Sequence, residues 1–205
     1  MIKTILWDFD GVILDSMKIK GDGFRELFKE YDEKYLEMIE KYHYANGGVS
    51  RFDKIRYFYN DILQENITDD KVLKLATKFA TIINKKIFDK SSLIDETVEF
   101  IKENYEKYNF HIVSGAEHDE LNDLCRYFEL DKYFLSIEGS PTKKDILIEN
   151  ILSGFNYNKN EVVLIGDSIT DYNAAKENGI DFYGFNNNEL KELGYYIESF
   201  KDFSL

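Results

Sequence analysis

Two apolar stretches of this chain each run straight into a cluster of carboxylates. Ile2 to Trp7 leads into Asp8-Phe9-Asp10-Gly11-Val12, and Val162-Val163-Leu164-Ile165 leads into Gly166-Asp167-Ser168-Ile169-Thr170-Asp171. A buried strand that ends in acids aims them at one place, which restricts both the fold and the chemistry. Two carboxylates about 4 Å apart repel by about 4 kcal/mol at an effective dielectric near 20. Four converging acids therefore call for a cation, and an all-oxygen donor set suits Mg²⁺. Ser114-Gly115, after a third apolar run, and Lys143-Lys144, ahead of a helical pattern, supply neutral and cationic groups. Acids with a metal, a small hydroxyl and a lysine are what phosphoryl transfer through an aspartate needs.

Short apolar runs at 2–7, 110–114, 133–138, 162–166 and 181–185 alternate with amphipathic patterns beginning near 95, 118, 144, 170 and 188. That rhythm predicts an α/β fold, a Rossmann-like parallel sheet covered by helices. Ligands of such sheets bind at the carboxyl ends of strands, at a topological switch point. The stretch 15–90 breaks the rhythm and shows helical period only, as in Phe24, Leu27, Phe28, Tyr31 and in Val72, Leu75, Ala76, Phe79, Ile83. We expect a core of 1–14 and 91–205, with 15–90 inserted after the first strand as a helical-bundle cap over the strand ends. Its connections should lie near Ile13 to Met17 and near Asp89 to Leu93. Asn186-Asn187-Asn188 reads as a polar turn before the last helix.

The 39 acidic residues outnumber the 26 basic ones, for a net charge of −13, so nucleic acid and anionic membranes are not expected partners. An anionic substrate would be repelled by that field unless Mg²⁺ and local lysine reverse it. The acids at 8 and 10 come too early for a signal peptide, and no apolar run approaches the ~18 residues of a membrane span. The single cysteine, Cys125, falls at helical spacing with Leu121, Leu124 and Phe128, as a buried thiol would. With no intrachain disulfide available, a cytoplasmic protein is expected, and a monomer.

Each motif has a plausible role. Asp8 is the candidate nucleophile, since a carboxylate is already ionised at neutral pH. Asp10 is the candidate general acid and base, its pKa expected to be raised by like charge nearby. Gly11 permits a tight departure from the strand. Asp167 is a candidate direct ligand of Mg²⁺, and Asp171 a ligand through water or an orienter of the lysine. The Ser114 hydroxyl and the N–H groups beside Gly115 can bind phosphoryl oxygens. Taken singly, these features are also what a polar strand end, a helix cap, a turn or a solvated lysine would show. In order, each at a strand or helix end, they point to one site.

With these four motifs in this order, the chain resembles the haloacid dehalogenase-like hydrolase superfamily over essentially its whole length. Within it the resemblance is to the phosphoglycolate phosphatase and β-phosphoglucomutase branch, which carries a helical cap after the first strand. The resemblance implies Asp8 as nucleophile, Asp10 as acid/base with its backbone carbonyl on Mg²⁺, and Ser114 as the phosphate-binding hydroxyl. It also implies Asp167 and Asp171 as the second acidic motif, so that Asp8, Asp10, Asp167 and Asp171 surround the metal directly or through water. Lys144 fits the family's lysine best, because Leu147, Ile148 and Ile151 follow at helical offsets; Lys143 is the runner-up. Asn46-Gly47-Gly48-Val49-Ser50-Arg51 resembles the substrate loop of the branch, where an Arg reaches a substrate phosphate, though it also reads as a glycine turn with a Ser50 cap.

The pattern departs from the family in places. Ser91-Ser92-Leu93-Ile94 replaces a frequent Pro-Gly at the second hinge, and Lys20 stands where sugar phosphomutases carry a His. Haloalkanoate dehalogenases lack the second Asp, which is present here as Asp10, so dehalogenation is not expected. The implied activity is Mg²⁺-dependent hydrolysis of a small phosphorylated metabolite through phospho-Asp8. A sugar phosphomutase is the alternative. A signalling receiver domain uses similar groups, but in another order and without a helical insert. A binding protein on a retired hydrolase fold would not keep every catalytic position. His43, His111 and His118 show no metal-ligand spacing and are assigned no role.

Overall fold

The computed structural model describes residues 1–205, the Asp202 side chain excepted. Its strands are β1 (Thr4–Trp7), β2 (Asn109–Glu117), β3 (Ser136–Ser140), β4 (Val162–Gly166), β5 (Asp181–Phe185) and β6 (Tyr195–Ile197). They form one parallel sheet in the order β3-β2-β1-β4-β5-β6. Every residue of β1 and β4 is buried, which is why these strands read as unbroken apolar runs. The chain steps outward from β1 to β3, then returns to the other side of β1 as β4. The switch point therefore falls between the two strands that end in acids.

Trp7 pairs with Ile165, and the Asp8 N–H donates to the Ile165 carbonyl at 2.9 Å. Asp8 and Gly166-Asp167 are thus neighbours at the carboxyl end of the two central strands. Helices α5 (Asp95–Asn104), α6 (His118–Tyr127), α7 (Lys144–Gly154) and α8 (Ile169–Asn178) complete the sheet's covering.

Between β1 and α5 lie α1 (Met17–Leu27), α2 (Glu33–Ala45), α3 (Arg51–Tyr57), continued by a π-helical turn at Phe58–Ile62, and α4 (Asp69–Ile87). Ser50 and Thr68 cap α3 and α4, their hydroxyls accepting from the N–H groups of Asp53 and Lys71. The stripe Val72, Ala76, Phe79, Ile83, Ile87 of α4 is buried, and Phe79 lies 4.4 Å from Phe24 of α1, centroid to centroid. Phe28 stacks on Phe58 at 3.7 Å. The two strands of chain joining this bundle to the sheet run side by side: Asp15 donates to the Ser92 carbonyl at 2.8 Å and Ile94 to that of Ile13 at 2.9 Å. One apolar cluster runs from Ile5, Trp7 and Phe110 into Phe24 and Phe79.

Three local expectations need correction. Strand β2 continues past Ser114 to Glu117, with a register shift against β3 between Val113 and Glu117, so Ser114 and Gly115 lie in an irregular strand segment. β3 starts later than its apolar run because Asp131–Tyr133 make a 3₁₀ turn. The last helix is only a 3₁₀ turn, Asn188–Glu192, followed by β6, whose three residues bury Ile197 alone. So short a strand leaves no period to read.

Candidate active site

The tight turn after β1 depends on glycine. Gly11 has φ +77°, and a Cβ there would stand 2.0 Å from Asp167 Oδ2. This close approach lets the loop after Asp10 pass over the end of β4. One carboxylate oxygen from each of Asp8, Asp167 and Asp171 lies within 4.8 Å of the others. Asp171 is fully buried and sits in a capping box at the start of α8, accepting from the Ser168 N–H at 3.1 Å and hydroxyl at 2.7 Å.

Lys144, the first residue of α7, is buried with its ammonium between Asp8 and Asp171, 2.9 Å from Asp8 Oδ1. Lys143 caps the same helix from outside and is exposed. Burial works against the Lys144 charge, but Asp171 and Asp8 outweigh it and hold its pKa above the ordinary value. Burial, the Asp171 charge and Asp10 together push Asp8 up to about 7 despite Lys144. Burial and the charges of Asp8 and Asp171 also raise Asp167.

Three clustered acids thus share one lysine. Asp8 Oδ2 is buried without a hydrogen-bond partner among the described residues. This surplus of hard oxygen donors and negative charge fits Mg²⁺.

Beside the acids, Ser114 is buried, with the Ala116 N–H donating to its hydroxyl at 3.2 Å. A Cβ on Gly115 would meet the Gly48 carbonyl at 2.3 Å, so the loop between α2 and α3 rests directly on this strand. Asp10 behaves differently from expectation. Its carboxylate is not one of the three clustered ones; it accepts from Ser16, at 2.5 Å, and from Lys20 of α1. Burial raises its pKa, but Lys20, Ser16 and the more distant Lys54 overcome that and hold it below the ordinary value. The expected upward shift is wrong because a cation from the inserted helices, not a neighbouring acid, is its nearest charge. Arg51 is buried and paired with Glu120 of α6, its guanidinium 5.3 Å from the Phe79 ring centroid.

A model of the family described as haloacid dehalogenase-like hydrolase matches residues 5–185. The chain belongs to this family.

Among relatives of this haloacid dehalogenase-like hydrolase, a phosphorylated carbohydrates phosphatase of Thermotoga maritima is 23% identical over 195 residues, spanning 89% of this chain and 85% of its own. A pyrophosphatase, PpaX, of Listeria monocytogenes is 26% identical over 193 residues, spanning 85% of this chain and 79% of its own. The crystal structure of a β-phosphoglucomutase from Clostridium difficile superposes with a TM-score of 0.77 at 15% identity, over 100% of this chain and 94% of that one. That likeness is one of fold. The chain is an enzyme of the hydrolase class, and among its described residues no helix is long and apolar enough to cross a membrane.

Several residues of this hydrolase's site escaped the sequence. The Asn186 amide donates to the Gly11 carbonyl at 3.0 Å and the Asn187 amide to that of Asp167 at 2.8 Å, so the "polar turn" ties both acidic loops to the end of β5. Their place after a strand was the available signal. Lys20 pairs with Asp10, and Lys54 meets His43 at 3.0 Å. Both contacts join distant segments, so no local pattern announces them. His111 bonds to Ser136 and Tyr157, a packing role.

Proposed function

We propose that the chain is a Mg²⁺-dependent phosphatase of a small phosphorylated metabolite, working through an aspartyl-phosphate on Asp8. The observation that carries this reading is the Lys144 ammonium buried between Asp8 and Asp171, with Asp167 beside them and no second cation on the acids among the described residues. Mg²⁺ held by Asp8 and Asp167, with the Asp10 backbone carbonyl and Asp171 behind, would screen the substrate's charge from these acids and polarise its phosphoryl group.

The Asp8 carboxylate forms a bond to phosphorus as the ester P–O bond breaks, and the bonding pair leaves with the ester oxygen. Asp10 gives that oxygen a proton. Water then attacks phosphorus, passes a proton to Asp10, and releases phosphate while restoring Asp8. Ser114 and the N–H groups around Gly115 hold the phosphoryl oxygens, and Lys144 neutralises charge as it develops. Lys20 and Ser16 favour the ionised form of Asp10, the form it takes once its proton has gone to the ester oxygen and in which it accepts water's proton. The relatives named phosphatases support hydrolysis. A small-molecule substrate and a monomeric enzyme complete the proposal.

Phosphate release from a panel of phosphate monoesters, with Mg²⁺ and with EDTA, tests it. Turnover confined to the Mg²⁺ samples, and lost in Asp8→Asn, is expected. No release from any ester would sink the reading.

A further inference from the structure

The two acidic loops have to stay together before any metal arrives, and their own charges oppose that. Asp8, Asp167 and Asp171 each bring an oxygen within 4.8 Å of the others, with Lys144 the one cation paired to them among the described residues. Packing gives little help on one side. Asp167 borders a cavity of about 590 Å³ between the sheet and the inserted helices, lined also by Met17, Tyr44, Asn186 and Asn187.

Hydrogen bonds from two consecutive residues hold what packing leaves free. β5 pairs with β4, Tyr183 beside Ile165 and Gly184 beside Gly166, so the residues after β5 emerge next to the second acidic loop. Asn186 takes the left-handed conformation, φ +54°, which asparagine adopts more readily than most residues. Its amide donates to the Gly11 carbonyl at 3.0 Å, and the Asn187 amide donates to the Asp167 carbonyl at 2.8 Å. Both loops are tied a second time beside these points. The Gly11 N–H donates to the Leu14 carbonyl at 2.8 Å, so Gly11 is fixed through both of its backbone groups. The Ser168 N–H donates to Asp171 Oδ2 at 3.1 Å, so the planar Asp167–Ser168 peptide is held at both ends. The Asn187 amide is fully used, its oxygen accepting from the Glu189 N–H at 3.1 Å.

We propose that Asn186 and Asn187 are positioning residues for the metal, a two-amide clamp that sets the spacing between the Gly11 and Asp167 backbones. The proposal rests on the Mg²⁺-dependent reading and adds how the chain selects that ion. Adjacent residues cannot separate, so the two carbonyls they hold keep one spacing whether or not the site is filled. Gly11 directly follows the Asp10 carbonyl, so the clamp fixes donors on both sides of the metal. Mg²⁺ demands near-octahedral oxygens at about 2.0–2.1 Å, whereas Ca²⁺ accepts looser sets at about 2.3–2.6 Å. Loosening the clamp therefore weakens Mg²⁺ far more than Ca²⁺.

Calorimetric titration with Mg²⁺ alone and with Ca²⁺ alone tests it, on the wild type and three variants. Asn187→Ser keeps an oxygen that can cap the turn and loses the amide donor. Asn186→Gly keeps the left-handed backbone and loses its amide. The third variant combines them, and none adds charge. Mg²⁺ affinity should fall by ~10-fold in each single variant and by ~10²-fold in the double one, the range for groups that orient metal ligands. Ca²⁺ affinity should stay within about threefold of wild type, because its coordination is flexible. Phosphate release at rising Mg²⁺ should show the same shift, with kcat largely restored at saturation. Unchanged Mg²⁺ affinity in the double variant would overturn the clamp. So would equal losses for both ions, which would assign the amides to loop folding alone. A wild type that binds neither ion would instead sink the Mg²⁺ reading itself.

Discussion

The Lys144 ammonium lies 2.9 Å from Asp8 Oδ1 while also paired to Asp171, so a single buried cation spans the ends of β1 and the start of α8. Its neighbour Lys143 is exposed. Successive residues on a helix point about 100° apart, so only one of the pair can face the acids. Lys144→Ala should lower kcat/KM by ~10²-fold or more, the usual cost of losing one electrostatic stabiliser. Lys143→Ala should stay close to wild type. Kinetics of both variants on one substrate decide it, and the reverse pattern would transfer the role to Lys143.

The raised Asp8 pKa has a consequence for stability. Its folded value of about 7 lies above the ordinary 3.8, so between these values the folded protein binds more protons than the unfolded chain. Stability of the metal-free protein from this group is full below pH 4 and is lost as pH rises through about 7. His43, lowered to about 3, acts in the opposite sense over pH 3 to 6.5, so the wild type alone mixes the two. Asp8→Asn removes the first, with the push of its charge on Asp167, and leaves His43 in place. Denaturant midpoints measured in EDTA should show the variant gaining on the wild type from pH 4 to 8; parallel curves would show that Asp8 titrates normally.

How much of this was legible in the sequence varies by residue. Asp8, Asp167 and Asp171 could be placed because unbroken apolar strands end immediately before them. Lys144 could be chosen over Lys143 because Leu147, Ile148 and Ile151 fix which side of α7 is buried. The four inserted helices were visible through their period. The charge state of Asp10 was not, because it depends on Lys20, which reaches it only once α1 has folded over the strand ends. The Lys54–His43 contact joins α3 to α2, and the Asn186 and Asn187 tethers join β5 to loops far away in sequence. Such pairings follow from tertiary geometry, which no local periodicity encodes.

Mg²⁺ should bind this cluster more tightly as pH rises. A protonated carboxyl is a poor ligand, and burial keeps part of the Asp8 population protonated near neutrality. Calorimetric titration should show affinity increasing from pH 6 to 8, with proton release in buffers of differing ionisation enthalpy. Asp167→Asn should weaken binding at every pH. Affinity unchanged by that substitution would remove Asp167 from the ligand set.

The Arg51–Glu120 pair joins α3 of the inserted bundle to α6 on the sheet, with both side chains largely buried. Removing one partner of a buried pair leaves the other uncompensated, at a cost of about 3–5 kcal/mol in general. Here that cost can be relieved without unfolding, because Arg51 regains water if the bundle swings away about its two paired connections. Glu120→Gln should therefore favour an open arrangement more than it lowers Tm. Limited proteolysis reads this directly: the connection near Lys90–Ser92, which is tied to Asp15 in the closed form, should be cut faster in the variant. Mg²⁺ together with a phosphate analogue should slow the cut by drawing the two parts together. A variant cut at the wild-type rate would mean that the seating of the Gly48 loop on Gly115 of β2, not this ion pair, holds the closed form.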